Sequence, residues 1–367
     1  MIRLAGLVTA FVSAGLTIGC VFNSDGIGAD PPLTQTKRKR IDIQGRLGSG
    51  LSDFPVGIIL QVDADLATKA SSNGSDLLFT DADGETVLPF EIESYDGNTG
   101  ALAAWVTVPE IDPVSGATVY LHYGASSAVT QADAFETWDD SFAGVWHLTG
   151  RSSTVIDSSR NGNHGFAPAV TVTPASSPGI AGAALDFSAL RSDMVTIADP
   201  PDDSLDFGMA SYSLSMWVNV DHSVGQDDTP WWKGGSNMAE AGYNVALGRD
   251  SWNVKLVSGG LVRIGSFGAE SEFLRGWTHL AFVVDRDSRH LRLYANGVQT
   301  DVVDLTIFGP IENALDPTLG RPPTVFNGIV DELRIYRTAL DAAWIVAEYQ
   351  NLSDPVSFNS LGVEENL

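Results

Sequence analysis

The chain has 367 residues, with 46 acidic against 21 basic side chains and a formal net charge of −25. This length is enough for about two domains with cores of their own, and the negative charge argues against nucleic acid and anionic membrane surfaces as electrostatic partners. Cys20 is the only cysteine, which excludes an internal disulfide, so stability must come from packed sheets or a bound metal.

The first twenty residues, MIRLAGLVTAFVSAGLTIGC, have the form of a signal peptide. Arg3 precedes an apolar run from Leu4 to Ile18 that is short for a membrane span. The segment resembles a bacterial lipobox, in which Cys20 becomes the lipidated first residue. Thr17 stands where that motif usually has Leu, so a plain signal peptide with an incidental Cys20 stays open. Both interpretations predict an exported protein, at the outer membrane or cell surface, with a periplasmic position also open.

Residues 21–36 are small, polar and proline-containing, which predicts a flexible tether. Alternating runs then dominate 37–140, among them FPVGIILQVDADL, ALAAWVTVPEI and ATVYLHYG. The turn sequence DADGE, Asp81 to Glu85, is typical of a hairpin. The pattern predicts an all-β fold, with a first module over 37–140 that is a β-sandwich.

The segments FPVGIIL, GSDLLFTDADGETVLPFEIE, AAWVTVPEI and TVYLHYG resemble a bacterial surface module that is catalogued as a domain of unknown function. Such modules often stand beside laminin-G-like domains and are sometimes labelled with ExbB/TolQ-type proteins. The resemblance covers most of 37–140 and implies no established activity.

A second series of strand patterns follows, including SYSLSMWVNV and GWTHLAFVVD. Asn296-Gly297 predicts a two-residue hairpin turn, and Asp341 can cap a short helix over AAWIVAEYQ. These elements predict a second module over 141–352, and residues 353–367 are expected to be a C-terminal tail.

One strand of the second module carries an unusual charge. In GIVDELRIY, residues 328–336, strict alternation places Asp331 in an apolar row with Leu333 and Ile335, and Glu332 on the opposite face. A carboxylate in an apolar row is costly unless a cation or several donors meet it. The same alternation predicts that Asp331 and Glu332 cannot act as a catalytic pair.

The second module resembles the laminin-G-like members of the concanavalin A-like lectin/glucanase superfamily. The motifs that carry the resemblance are VWHL, DSSRNGNHG, LDF, YSLSMWVN, WTHLAFVVD, LYANG and GIVDELRIYRTAL ahead of a last short helix. The resemblance implies a jelly roll of two packed sheets. Fold alone does not give function.

Calcium is the expected cofactor, in a structural role. Asp157, Asn161 and Asn163 offer hard oxygen ligands in a glycine-containing loop. In the family that this region resembles, the early loop and the late aspartate strand lie together and often hold calcium, which assigns Asp331 as the distant ligand. Thr149 stands where related sequences often place an acidic residue. The alternative is a turn in which Asp331 accepts from backbone amides of the same loop.

Carbohydrate is the expected ligand. Sugars stack on exposed aromatic rings beside polar groups, and the candidates are Trp217, Trp231, Trp232 and Tyr243. The alternative is that these side chains belong to the core. An exposed pair at Trp231 and Trp232 would favour sugar, whereas a broad apolar patch would favour a protein partner.

Catalysis is not expected. Glycan hydrolases of this fold use two carboxylates on one strand, and their signature is missing from the second module. The two carboxylates of Glu91 and Glu93 share a strand face but lie in the first module, and the six histidines show no zinc spacing. The sequence therefore predicts a lipid-anchored surface protein that binds polysaccharide or glycoprotein without cleaving it. The alternatives are a protein-docking module of a surface assembly and a glycan hydrolase.

Overall fold

A computed structural model describes residues 33–126, 132–149, 153–167, 174–188, 191–220, 229–234, 240–247, 251–269, 276–320 and 326–367. The predicted signal peptide, Cys20 and the tether as far as residue 32 lie outside the described residues. Among the described helices, none has both the length and the apolar character needed to cross a membrane.

The first module is a sandwich of two antiparallel sheets, as predicted. The described part of one sheet contains, in chain order, β1 (Lys37–Ile43), β3 (Leu78–Thr80), β6 (Ala117–Tyr123) and β23 (Asn359–Asn366). The other contains β2 (Leu51–Leu60), β4 (Phe90–Asp96) and β5 (Ala101–Ile111). Helix α1 (Ala64–Lys69) connects β2 with β3, and α2 (Ala134–Thr137) leads out of the module. Phe54, Phe79 and Phe90 are fully buried between the sheets.

Residues 353–367 were predicted to be a C-terminal tail, but they are part of the first module. It forms helix α4 (Pro355–Phe358) and strand β23, which pairs antiparallel with β1. Phe358 is fully buried in the first core. The strand hydrogen bonds and the burial of Phe358 are the physical reason that the segment is ordered, and they attach it to β1 and to the core of the first module.

The second module is a jelly roll of two packed sheets, which confirms the predicted fold class. The described part of the junction sheet, named for its contact with the first module, contains β7 (Phe142–Trp146), β10 (Ala175–Pro178), β11 (Ala183–Phe187), β13 (Tyr212–Val220), β18 (Trp277–Asp285), β19 (His290–Ala295), β20 (Val298–Asp304) and β22 (Gly328–Tyr336). The far sheet contains β8 (Thr154–Val155), β9 (Gly165–Phe166), β12 (Val195–Ile197), β14 (Trp231–Gly234), β15 (Gly242–Leu247), β16 (Ser251–Ser258), β17 (Leu261–Ala269) and β21 (Thr318–Leu319).

Two local predictions in the second module are confirmed. Asn296 and Gly297 have φ values of 50° and 74° and form the two-residue turn between β19 and β20. Asp341 caps helix α3 (Ala342–Ser353) by accepting from the backbone nitrogen of Trp344.

Strand β22 does not alternate as predicted, because it contains a β-bulge. Its ladder with β13 shifts register between Ser215 and Trp217, and Glu332 has a φ of 48°. Val330, Leu333 and Ile335 therefore face the core of the second module. Asp331 lies opposite Trp217, and Arg334 lies opposite Ser215, on the outer face. The prediction that Asp331 shares an apolar row with Leu333 is wrong.

The junction between the two modules is a packed apolar layer. Trp105 of β5, Trp217 of β13 and Ile345 of α3 belong to one buried cluster. Trp105 is 1% exposed and Trp217 is 2% exposed, so water is excluded from this layer. The outer face of β22 is therefore buried against the first module.

The position of Phe358 predicts that the C-terminal segment stabilises the first module. Phe358→Ala should lower the free energy of unfolding by about 3–5 kcal/mol, because it leaves a cavity in the core. Val363→Thr is the matched control, since Val363 lies on the same strand and is 84% exposed; it should change stability by less than about 0.5 kcal/mol. Urea denaturation measures both, and equal stabilities of the two variants would contradict the assignment.

Candidate functional site

Three of the four aromatic residues predicted to bind a ligand are buried. Trp231 is 0% exposed, Tyr243 is 1% exposed and Trp217 is 2% exposed. Trp231 and Tyr243 lie in the core between the sheets of the second module, because their strands turn these side chains inward. Trp217 lies in the junction and stacks on Tyr349, with ring centroids 5.9 Å apart. These three residues are not available to a ligand, which corrects the prediction.

Trp232 is the fourth predicted residue, and it is partly exposed on the outer face of the far sheet. It lies directly opposite Asn244 on β15, which in turn lies opposite Lys255 on β16. We call these three residues the Trp232 row. Asn244 is 5% exposed, and within the described part of the chain its Oδ1 atom has no hydrogen-bond partner. The row therefore combines an aromatic face, an unsatisfied amide oxygen and a cation beside one surface groove.

Asp157, the first predicted calcium ligand, is surrounded by hydrogen-bond donors. Its Oδ1 accepts from the backbone nitrogens of Val145 and Ser159, at 2.8 and 2.9 Å. Its Oδ2 accepts from the Ser159 hydroxyl at 2.9 Å and from the backbone nitrogen of Asn163 at 2.8 Å. Burial raises the pKa of Asp157, and these hydrogen bonds oppose that shift. The four donors occupy the lone pairs that a cation would need.

Asn161 and Asn163 are also engaged in hydrogen bonds. The side-chain amide of Asn161 donates to the carbonyl oxygen of Phe142, and its oxygen accepts from Arg337 at 2.8 Å. The side-chain amide of Asn163 donates to the carbonyl oxygen of Ala143 at 3.0 Å. Both side chains therefore hold the loop against the start of the second module.

Asp331, the distant predicted ligand, is bound elsewhere. Its Oδ2 accepts from the backbone nitrogens of Ile180 at 2.7 Å and Ala181 at 3.2 Å. Burial first, and then the charges of Glu332 and Glu93, raise the pKa of Asp331 well above its usual range. These amides belong to the turn between β10 and β11. The predicted alternative, in which Asp331 accepts from amides of the Asp157 loop, is therefore wrong.

These hydrogen bonds test whether calcium fits the predicted ligands. Among the described residues, Asp157 and Asp331 share no hydrogen-bond partner, and the loop oxygens face N–H and O–H donors rather than a common empty position. In this arrangement the four residues do not fit a calcium site. Calcium binding by the protein stays a prediction from the resemblance.

A cluster of ionisable groups lies at the junction, and the sequence did not predict that these residues come together. Nδ1 of His147 lies 2.8 Å from Oε1 of Glu332, and Nε2 of His147 lies 3.2 Å from Oε2 of Glu91. Glu93 approaches Nδ1 of His147 to 3.9 Å, and Arg334 donates to Oε2 of Glu332 at 2.8 Å. We call these five residues the junction cluster.

Aromatic rings of the first module and the connecting segment cover one side of the junction cluster. The guanidinium carbon of Arg334 lies 4.2 Å from the ring centroid of Trp105 and 5.0 Å from that of Trp138. The imidazole of His147 stacks on Trp105, with centroids 5.6 Å apart. Because these rings keep water away from Arg334 and His147, the charge interactions of both side chains are stronger than they would be in water.

The charges in the cluster shift the ionisation of its members in opposite directions. Burial, followed by the charge of Glu332, raises the pKa of Glu93 to about 7. Burial alone would raise the pKa of Glu332. The charges of His147 and Arg334 lower it, and together they outweigh burial, so the net shift is downward. Burial would lower the pKa of His147, but Glu332 and Glu91 raise it well above its ordinary value.

The sequence contained partial signals for this cluster. Alternation placed Glu91 and Glu93 on one strand face, but only the junction shows that this face meets the second module. The bulge that turns Glu332 to the same side has no glycine to mark it. The prediction that Asp331 and Glu332 lie on opposite faces of the strand is therefore wrong. The side chains of Glu332 and Glu93 are each 1% exposed and Asp331 is 0% exposed, so all three are too buried to meet a polymer.

The hydrogen bonds of Asp157 predict the effect of removing its charge. Asp157→Asn should lower the free energy of unfolding by about 2–3 kcal/mol, because an amide group would face backbone donors. The loss should be equal in calcium and in chelator, as measured by urea denaturation. Asp140→Asn is the control, since that side chain is 89% exposed. A thermal midpoint that rises with calcium in the parent chain but not in Asp157→Asn would contradict this account.

Two family models match the sequence. One, described as the concanavalin A-like lectin/glucanases superfamily, matches residues 191–346. The other, described as a domain of unknown function (DUF2341), matches residues 73–158. A search of curated proteins found no match.

Several solved structures are similar. The binding domain of Paraclostridial Mosquitocidal Protein 1 is 15% identical over 59% of this chain and 53% of its own, with a TM-score of 0.49. The binding domain of Botulinum Neurotoxin serotype G is 13% identical over 58% and 51%, with a TM-score of 0.43. The binding domain of Botulinum Neurotoxin DC in complex with SialylT is 15% identical over 58% and 52%, with a TM-score of 0.45.

The chain spans about half the length of each of these structures. The family matches agree with the motifs and the architecture: the chain carries a laminin-G-like domain of the concanavalin A-like lectin/glucanase superfamily, preceded by a domain of unknown function.

Proposed function

We propose that this chain is an exported, lipid-anchored surface protein that binds carbohydrate without cleaving it, through the Trp232 row. The observation that carries the proposal is the unsatisfied Oδ1 of Asn244 between an aromatic and a cationic side chain. Export and the lipid anchor rest on the signal-like segment that ends at Cys20.

The Trp232 row has the chemical features that a sugar ring requires. The CH face of a sugar packs on an indole, and its hydroxyl groups donate to amide oxygens and accept from ammonium groups. Asn244 lies between Trp232 and Lys255 on adjacent strands, so one sugar residue can contact all three. The Oδ1 of Asn244 is buried, so a sugar hydroxyl would donate to it only after the Asn244 side chain turns toward the groove; such a donor favours hydroxyl-rich partners over apolar ones.

A non-catalytic role is supported by the position of the carboxylates. A hydrolase needs two carboxylates beside the scissile bond. Glu93 and Glu332 of the junction cluster are close together, but each side chain is only 1% exposed. A polysaccharide bound at the Trp232 row contacts the far sheet, which is a different sheet from the one that carries Glu332.

A polysaccharide panel tests the proposal. The full-length protein is expected to be retained on at least one polysaccharide without releasing reducing ends. Trp232→Ala should weaken that binding at least tenfold, or about 1.4 kcal/mol, because it removes the stacking face. Affinity electrophoresis measures retention, and a reducing-sugar assay measures cleavage.

Phe166→Ala is the matched control for this experiment. Phe166 is an aromatic residue on β9 of the same sheet, is 50% exposed and lies near the opposite end of the strand order from β15 and β16. Its removal should change the affinity less than twofold. Equal losses in Trp232→Ala and Phe166→Ala would contradict the assigned site, release of reducing ends would contradict the non-catalytic role, and no retention on any polysaccharide would indicate a protein partner.

A further inference from the structure

Three metal-ligand side chains from different strands meet at the junction. His147 follows β7, Glu332 lies on β22 and Glu93 lies on β4 of the first module. One oxygen of each carboxylate and a ring nitrogen all lie within 4.8 Å of one another. One imidazole and two carboxylates are a donor set that first-row transition metals accept. We propose that Glu93, His147 and Glu332 bind one divalent transition-metal ion, for which Zn²⁺ is the test ion.

The supporting contacts orient two of these ligands toward a common position. Metal-binding histidines commonly donate their second ring N–H to a carboxylate. Nε2 of His147 does so toward Glu91 at 3.2 Å, which directs Nδ1 at Glu93 and Glu332. Arg334 occupies Oε2 of Glu332, which leaves Oε1 on the side of the imidazole.

Glu91, which orients the imidazole, is itself held in place. Its Oε1 accepts from the Ser158 hydroxyl at 2.8 Å, and its Oε2 accepts from the indole nitrogen of Trp138. The chain Trp138–Glu91–His147 therefore has the order of supporting contacts that fixes the ring of a metal-bound histidine.

Glu93 supplies an independent observation. Its Oε2 accepts from the indole nitrogen of Trp105 at 3.1 Å. Its Oε1 has no hydrogen-bond partner among the described residues, and the side chain is only 1% exposed. A buried carboxylate oxygen without a donor is costly. Gly182 packs closely on this oxygen, since a Cβ atom there would lie only 2.3 Å from Oε1. A cation would satisfy the carboxylate.

The ligands favour a transition metal over calcium. Calcium takes oxygen ligands, whereas an imidazole nitrogen suits zinc and its neighbours. The ion would enter through a cleft of about 240 Å³ whose lining includes Glu91, Glu93, His147 and Thr149. On binding, the ion takes the place of the proton between Nδ1 of His147 and Oε1 of Glu332, and that proton leaves to solvent.

Zinc titration of the full-length, chelator-treated protein tests the proposal. Calorimetry in two buffers of different ionisation enthalpy should show one Zn²⁺ per chain and release of at least one proton. Glu93→Gln should weaken binding at least tenfold. Without zinc this variant should melt no lower than the parent, because it removes a charge that burial and Glu332 disfavour. Zinc should raise the melting temperature of the parent only.

Two further variants keep the test decisive. Glu91→Gln retains all three ligands but weakens the contact that orients His147, so it should lower zinc affinity by about tenfold. Glu110→Gln, an exposed position on β5 of the same module, should leave zinc affinity unchanged. Absence of one-to-one zinc uptake by the parent would overturn the proposal. So would equal affinity in Glu93→Gln, because the ion would then lie elsewhere on this acidic chain. Neither result bears on carbohydrate binding.

Discussion

The burial of charge on the outer face of β22 is the constraint on which the arrangement of this chain depends. The bulge at Glu332 turns Asp331, Glu332 and Arg334 to one side of the strand. Buried ions are stable only when partners with good geometry meet them. Those partners come from four places: His147 after β7, the strand of Glu91 and Glu93, the amides of the β10–β11 turn, and Glu348 of α3, which accepts from Arg334 at 3.4 Å. The first module thus supplies Glu91 and Glu93 to the charged groups on the outer face of β22 and its neighbour His147.

As a consequence, the outer faces of the two jelly-roll sheets have different contacts. The junction sheet gives its outer face to the first module and α3, whereas the far sheet presents Trp232, Asn244 and Lys255 on its described outer face. Strand β23 adds a second connection, because it returns the chain to β1 after α3. A binding face held on a rigid support loses less conformational entropy when it meets a ligand. The first module packs against the junction sheet, and in the proposed function it would provide that support.

Strand identity could be predicted from the sequence, but the direction in which particular side chains point could not. Alternation, the Asn296-Gly297 turn and the Asp341 cap are local signals, so the strands, the β19–β20 hairpin and the start of α3 follow from them. The jelly roll was implied by the resemblance of the motifs to a known family. The β22 bulge depends on packing between modules and has no local marker, so the sequence wrongly placed Asp331 and Glu332 on opposite faces of the strand. Trp231 and Trp232 are adjacent, so one had to face inward, and sequence alone could not select which. The pairing of β23 with β1 joins residues more than three hundred positions apart, beyond the reach of periodicity.

The central claim is that the two modules fold as one unit because each completes the burial of the other's charges. Differential scanning calorimetry of the full-length protein tests it most directly. The account predicts a single transition whose calorimetric and van't Hoff enthalpies agree, with a ratio of about 1. Two separate transitions, or a calorimetric enthalpy about twice the van't Hoff value, would show that the modules unfold independently and would contradict the account.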